Sequence, residues 1–297
     1  MADWRPSLRR LEGAYAEATI SSYRCDFEKF AAWCRRRRLR ALPAKPETVA
    51  AYIEVSSEEV KPTTLKRRLS AIAKVHRIAG HVSPTDDEAV ALAIRRAKRS
   101  KPGRPQQALG VTAERRDRLM SACSDDLAGL RDKVLVAVGF DTLCRRAELV
   151  ALRVEDFTRA ADGTYNVLVR RAKNDQAGLG RIARLSHATS RLVDQWLATT
   201  AIQRGPLLRP VYRTILASRY LHPSFVGATL KRLSRAAGYP AEESCRTSGH
   251  SLRVGAAQEL TVMGHGLLPI MSAGGWKSTA VVARYIENVE MNVWAGK

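Results

Sequence analysis

The stretch Leu127–Leu152, LAGLRDKVLVAVGFDTLCRRAELVAL, decides how the rest of the chain is read. Both of its flanks, Leu127–Asp141 and Arg145–Leu152, read as helices rich in aliphatic residues, so the polar residues between and within them sit in an apolar helical frame. On the second helix Arg145 and Glu148 stand three apart and share a face beside Leu149 and Leu152. Taken alone, that pair reads as an ordinary surface ion pair. Its neighbours in the chain give it another reading.

Working outward, helical patterns cover Thr112–Ala122, Ala188–Thr200, Ser224–Ala237, Ser251–Met263 and Thr279–Glu287. One patch breaks the period. Tyr165–Arg171 and Arg181–Leu185 alternate, and Ala172–Gly180 between them predicts the tip of a β-hairpin. Upstream, Pro6, Gly13 and several arginines predict a flexible arm over residues 1–13. Helices follow at Thr19–Cys34, where Ile20, Tyr23, Phe27, Phe30 and Trp33 form one apolar face, and at Thr48–Val55. A third starts at Thr63 or Thr64 and runs to Ala79, and a fourth spans Pro84–Arg99. The third carries Leu65, Leu69, Ile72 and Val75 on a buried stripe and Lys66, Ser70, Lys74 and Arg77 on a separate one. A major groove is wide enough to admit such a basic, hydroxyl-bearing face; a solvated basic face has the same composition. The basic run Arg35–Arg38 with Arg40 is equally open to phosphate contact or plain solvation. Lys98–Gly110, with Pro102, Pro105, two glycines and four basic residues, predicts an exposed interdomain linker. The expected organisation is an arm (1–13), a helical DNA-binding domain (14–100), a linker (101–110) and a second domain (111–297).

Charge narrows the class. Fifty Lys and Arg against 29 Asp and Glu give a formal +21, split as +11 before residue 111 and +10 after it. Both halves are basic, as expected if both lie along a polyanion. Beyond the stripe, Arg95, Arg99, Lys101 and Arg104 are candidate phosphate contacts. Five scattered cysteines with no CxxC pair argue against a disulfide framework or a metal site and point to a reducing, cytoplasmic compartment. No apolar run is long enough for a membrane span. Aromatic residues make up 6% of the chain, so the cores are expected to be mainly Leu, Ala, Val and Ile.

Two further polar groups lie in apolar surroundings. Gly249–Arg253, GHSLR, sets His250 and Arg253 three apart at a helix start, a place suited to holding a phosphate, although a capping serine with incidental neighbours looks the same. Gly274-Gly275-Trp276 is followed nine residues later by Tyr285. An indole N–H donates one hydrogen bond and a phenol is a potential nucleophile, while near a chain end both residues more often serve packing.

Order and context settle what single groups do not. DTLCRRAEL, the RAK turn of the hairpin, GHSLRVGAA, and AGGW with a tyrosine nine residues on together resemble the tyrosine recombinase (phage integrase) family, and its Cre-like members in particular. The resemblance spans essentially the whole chain. It implies a mainly α, two-domain DNA clamp: a helical N-terminal core-binding domain and a mostly helical catalytic domain with a small β-hairpin or sheet. It implies that Arg145 and Arg253 grip the scissile phosphate, that His250 bonds the phosphate or takes the tyrosine proton, and that Trp276 donates a hydrogen bond. Glu148 would orient the other side chains, Lys173 would protonate the 5′-hydroxyl leaving group, and Tyr285 would attack phosphorus. Arg146 competes with Arg145, with the LCRRAEL frame favouring Arg145, and Arg170 and Arg171 lie close to Lys173.

The implied activity is site-specific recombination through a 3′-phosphotyrosyl intermediate and a Holliday junction, without cofactor, metal or ATP. The implied partners are double-stranded DNA with an inverted-repeat site and three further copies of the chain, with no membrane. A type IB-like topoisomerase or telomere resolvase shares the same groups, and a catalytically silent DNA-binding regulator would lack at least one of them. Twelve residues follow Tyr285, with Ile286, Val289, Val293 and Trp294 apolar at helical spacing. Family members often donate such a helix to a neighbouring subunit; so short a version could still dock, and it leaves the strength of assembly open.

Overall fold

The computed structural model describes residues 4–103, 107–170 and 180–289. The chain divides into two compact units, residues 1–105 and 106–297. Lys173, Arg104, Val293 and Trp294, each named above, lie outside the described residues.

The first unit is helical: α1 (Arg5–Leu8), α2 (Glu17–Arg36), α3 (Pro46–Glu59), α4 (Pro62–Ile78) and α5 (Glu88–Ser100). α2 packs on α4, and α3 on α5. Prolines mark the starts of α3 and α4, where a missing N–H costs nothing because the first turn has no intrahelical acceptor. α4 therefore begins at Pro62, ahead of the threonines expected to cap it. Asp87 caps α5 through the backbone N–H of Ala89, so Pro84–Asp86 forms a separate short 3-10 turn.

The expected flexible arm is corrected for its described residues. Pro6 sits in the first turn of α1, where it is compatible with a helix, a 3-10 turn follows at Arg9–Leu11, and Trp4, Leu8 and Leu11 are buried. Trp4 packs edge-on against Phe27, and Phe27 against Phe30; Phe30 and Trp33 both meet Tyr52, with ring centroids 4.7–5.8 Å apart. The core here is mainly aliphatic, as expected, with Trp4, Phe27, Phe30, Trp33 and Tyr52 set among Leu, Ile, Val and Ala side chains. Buried rings of this kind each cover about 150–250 Å².

The second unit contains α6 (Ala113–Ser121), α7 (Leu127–Asp141), α8 (Arg146–Ala151), β1 (Phe157–Arg159), β2 (Tyr165–Val169), β3 (Arg181–Arg184) and α9 (His187–Thr200). It continues with β4 (Val211–Tyr212), β5 (Ile215–Leu216), α10 (Pro223–Ala236), α11 (Ala241–Arg246), α12 (Ser251–Val262), α13 (Leu267–Gly274) and α14 (Thr279–Ile286). The expected hairpin is the β2–β3 pair, extended by β1 into an antiparallel three-stranded sheet with Val167 opposite both Phe157 and Ala183. Here the core is aliphatic, with Val134, Leu135, Val138, Leu149, Leu230, Leu233 and Leu252 all buried around Trp196.

α7 and α12 cross closely. A Cβ on Gly139 would come within 2.7 Å of Leu252 and 2.9 Å of Leu149, so glycine sets the approach of α7 to the helices that carry the polar motifs. The segment entering the unit is stitched to α12 in the same way. Val111 donates its N–H to the Ser251 carbonyl (2.9 Å), Ala113 donates to Glu259 (3.0 Å), and a Cβ on Gly255 would overlap the Val111 backbone.

Candidate active site

The site is built from four helix ends of the second unit, the starts of α8 and α12 and the ends of α13 and α14. Arg145 is the N-cap of α8, and Glu148 is the third residue of that helix. One carboxylate oxygen of Glu148 accepts the Arg145 backbone N–H (2.9 Å) and the other its guanidinium Nη1 (2.6 Å). Glu148 is buried and spends both oxygens on holding Arg145 in one rotamer. Arg146 is exposed and lies along Gly249, which separates the two arginines by direction.

Arg253, in the first turn of α12, has no exposed surface. Its Nη1 donates to the Leu143 carbonyl, and its Cζ lies 3.9 Å from the centre of the Trp276 ring. Its Nε and Nη2 have no partner. A buried cation with two open donors costs several kcal/mol unless an anion completes it. Burial, then the charge of Arg145, pull its pKa down to about 10, so it keeps its proton at neutral pH. Leu143 itself adopts a left-handed backbone (φ +49), a conformation costly for a β-carbon-bearing residue, and this turns its carbonyl onto Arg253.

His250, the residue preceding α12, brings Nε2 to 2.5 Å from the Tyr285 hydroxyl. Burial foremost, then Arg253 and Arg145, lower its pKa to about 4. Tyr285 lies on α14, and its carbonyl accepts from Gln258 (3.2 Å) and Gln107 (3.5 Å). Trp276 packs edge-on against Tyr285, with centroids 5.5 Å apart. Its ring occupies the space a Cβ on Gly274 would need, and Gly275 takes a left-handed φ of +64 to turn the chain. Arg145, Glu148, His250, Arg253, Trp276 and Tyr285 thus converge from motifs 140 residues apart in sequence.

Sequence reading passed over Arg181, the first residue of β3. It donates to the Ala273 carbonyl (2.7 Å) and the Thr142 carbonyl (2.6 Å), on either side of this cluster.

The candidate DNA contacts of the first unit divide by how they are engaged. Lys66 and Ser70 are exposed on α4, with the Ser70 hydroxyl bonded to the Lys66 carbonyl. Lys66 sits beside Lys98 of α5, whose pKa is lowered mainly by that ammonium, an addition the sequence stripe did not include. Lys74 is half-buried and donates to Tyr15, Arg77 donates through Nη2 to both oxygens of Asp86, and Arg95 pairs with Glu88. Lys101 donates to the Glu58 carbonyl, and Arg99 is exposed. Exposed pairs of this kind are worth about 0–1 kcal/mol, little enough for a phosphate to displace. No cluster of metal-ligating side chains occurs among the described residues, and none of their helices is long and apolar enough to cross a membrane.

The phage integrase family matches residues 111–291, and the SAM-like N-terminal domain of phage integrases matches residues 9–81. The chain belongs to the phage integrase family and is a tyrosine site-specific recombinase of Cre-like type. An integrase/recombinase XerD homolog of Selenomonas ruminantium is 33% identical over 291 residues, covering 94% of this chain and 84% of the relative. The Cre recombinase of Escherichia phage P1 is 27% identical over 300 residues, covering 95% and 87%. The fold is shared with a XerH recombinase solved on a palindromic difH substrate (TM-score 0.67, 16% identity, 91% of this chain and 76% of that one). It is shared also with a lambda integrase fragment dimer on a COC′ core site (TM-score 0.66, 16% identity, 98% and 96%).

Proposed function

We propose that this recombinase cleaves and rejoins DNA by transesterification at Tyr285. The observation that carries the reading is Arg253, buried and charged with two N–H donors unpartnered, set beside a tyrosine hydroxyl already bonded to a histidine. Two open donors on a buried cation suit an anion, and a phosphodiester is the anion a tyrosine can attack. Arg253 and Arg145 would take the non-bridging oxygens, whose charge grows in the pentacoordinate transition state. Trp276 would donate its indole N–H to the same group.

The atoms balance without an outside reagent. Tyr285 Oη bonds to phosphorus as the bond to the 5′-oxygen breaks. The phenolic proton passes to His250 Nε2, and the leaving oxygen takes a proton from Lys173. The product is a 3′-phosphotyrosyl bond with a free 5′-hydroxyl, and attack by another strand's 5′-hydroxyl reverses the step. Bond energy is conserved in the adduct, so neither ATP nor metal has a role to fill. His250 is a poor base because it is buried and, secondly, because two guanidinium charges face it, and a bound phosphate offsets those charges. The base therefore strengthens when substrate arrives.

The partner is double-stranded DNA, with net charge +21 securing backbone affinity. Two strand exchanges through a Holliday junction need four active sites, hence a tetramer on two inverted-repeat sites, assembled in the bacterial cytoplasm. The exposed Lys66, Ser70 and Lys98 group supports α4 and α5 as part of the DNA-facing surface.

The test uses a nicked duplex enriched from a random pool by the wild-type protein. Tyr285→Phe should bind it with unchanged affinity and trap no covalent adduct. Recombination at the normal rate by that variant defeats the proposal, and relaxation of plasmid lacking the site would redirect it to a topoisomerase.

A further inference from the structure

We propose that Arg181 is a positioning residue for cleavage, a guanidinium clamp that fixes the segment presenting Arg145 relative to the segment presenting Trp276. Its Nη1 donates to the carbonyl of Ala273, in the last turn of α13, and its Nη2 to that of Thr142, the C-cap of α7. The carbonyls at a helix C-terminus have no intrahelical partner and carry the negative end of the macrodipole, so one half-buried cation closes two helices at once.

Each end of the clamp leads directly into the site. Thr142 is followed by the left-handed Leu143, whose carbonyl takes Arg253, then by Cys144, 3.7 Å from Arg181 Nη2, and then by Arg145. Ala273 is followed by the two glycines and Trp276. A Cβ on Gly275 would stand 2.8 Å from Arg181 Cδ, so the turn is shaped to admit this side chain. With both terminal nitrogens anchored to carbonyls, Arg181 is held to act through Arg145, Arg253 and Trp276. A lysine, a single point of charge, reaches one carbonyl or the other but does not span both.

The proposal rests on the phosphate-gripping roles given above to Arg145 and Arg253. On the selected nicked duplex, binding affinity and the single-turnover rate of covalent adduct formation are measured for Arg181→Met, Arg181→Lys, Arg145→Ala and the Arg145→Ala/Arg181→Met double variant. Misplacing a gripping group by about 1 Å costs on the order of 10²-fold in rate, the expected loss for Arg181→Met at unchanged affinity. Arg181→Lys should recover part of that loss with an unchanged melting temperature. The double variant should lose less than the product of the two single losses, because the part of the Arg181 effect that runs through Arg145 is already gone.

Losses that multiply in the double variant, or a full-rate Arg181→Met, overturn the clamp. Loss of affinity and melting temperature together in Arg181→Lys also overturns it, as the mark of a merely structural residue; this variant carries the test if Arg181→Met does not fold. A full-rate Arg145→Ala is a different result, defeating the site assignment itself.

Discussion

His76 in the first unit and His250 in the second are both withdrawn from water, and they are held in opposite ways. His76 Nδ1 donates to the Ile72 carbonyl (2.8 Å) while Nε2 accepts the Ala44 N–H (2.9 Å), which fixes its tautomer and uses both nitrogens. His250 offers its Nε2 to a side-chain hydroxyl that has chemistry of its own. The charged groups follow the same division. Buried Asp26 is met by both forks of Arg67 (2.7 and 2.9 Å), whereas Arg253 keeps two donors without a partner. Trp33 and Arg68 of the first unit each leave one N–H unpartnered, but neither is a fully buried charge. The contrast separates polarity that serves stability from polarity kept open for a ligand.

The comparison breaks most visibly if its stability half is wrong. Phe27→Ala removes the ring between Trp4, Phe30 and His76 and should cost about 3–5 kcal/mol in denaturant unfolding. A loss below 1 kcal/mol would mean the aromatic cluster is not what holds the first unit. The functional half predicts the reverse pattern for Arg253→Met. Cleavage should fall by about 10²–10³, or ~2.7–4 kcal/mol in the barrier. The melting temperature should hold or rise, since exchanging a poorly paired buried charge for an apolar side chain is often neutral or stabilising. A destabilised variant that still cleaved would erase the distinction.

The finest test is protonation. Both histidines have folded pKa values below the unfolded one, His250 at about 4. Between that value and about 6.5 the unfolded chain binds more protons, so stability rises with pH and is lost as pH falls through the window. Added duplex should move the two apart. In an NMR titration His250 should shift upward on binding DNA and His76 should stay where it is; equal movement would contradict the assignment of open and closed sites.

Legibility in the sequence followed the same line. The clustering of Arg145, Glu148, His250, Arg253, Trp276 and Tyr285 was legible because each stands in a local motif whose spacing carries the signal. Arg181 was not, since its partners are backbone carbonyls 39 and 92 residues away and any residue type supplies a carbonyl. α13 escaped notice because Gly264, Gly266 and Pro269 interrupt the helical pattern, although a proline in a first turn is no obstacle. Trp4 made the difference at the N-terminus: Pro6 and Gly13 suggested looseness, and one buried ring nearby outweighs both. Lys98 joins Lys66 only once α4 and α5 are packed, a neighbourhood that periodicity within one helix does not encode.

The stitching of residues 107–113 bears on how this recombinase could be rebuilt. Gln107 bonds the carbonyl of Tyr285, Val111 bonds that of Ser251, and Gly255 has no side chain because Val111 fills its place. These residues directly follow the boundary between the two units, yet they belong to the fabric of the proposed cleavage site. A chimera given a foreign DNA-reading module would have to be joined before Gln107. A seam a few residues later would cut the hydrogen bonds that reach the Tyr285 and Ser251 carbonyls, and the graft would disturb the surroundings of Tyr285 along with the target.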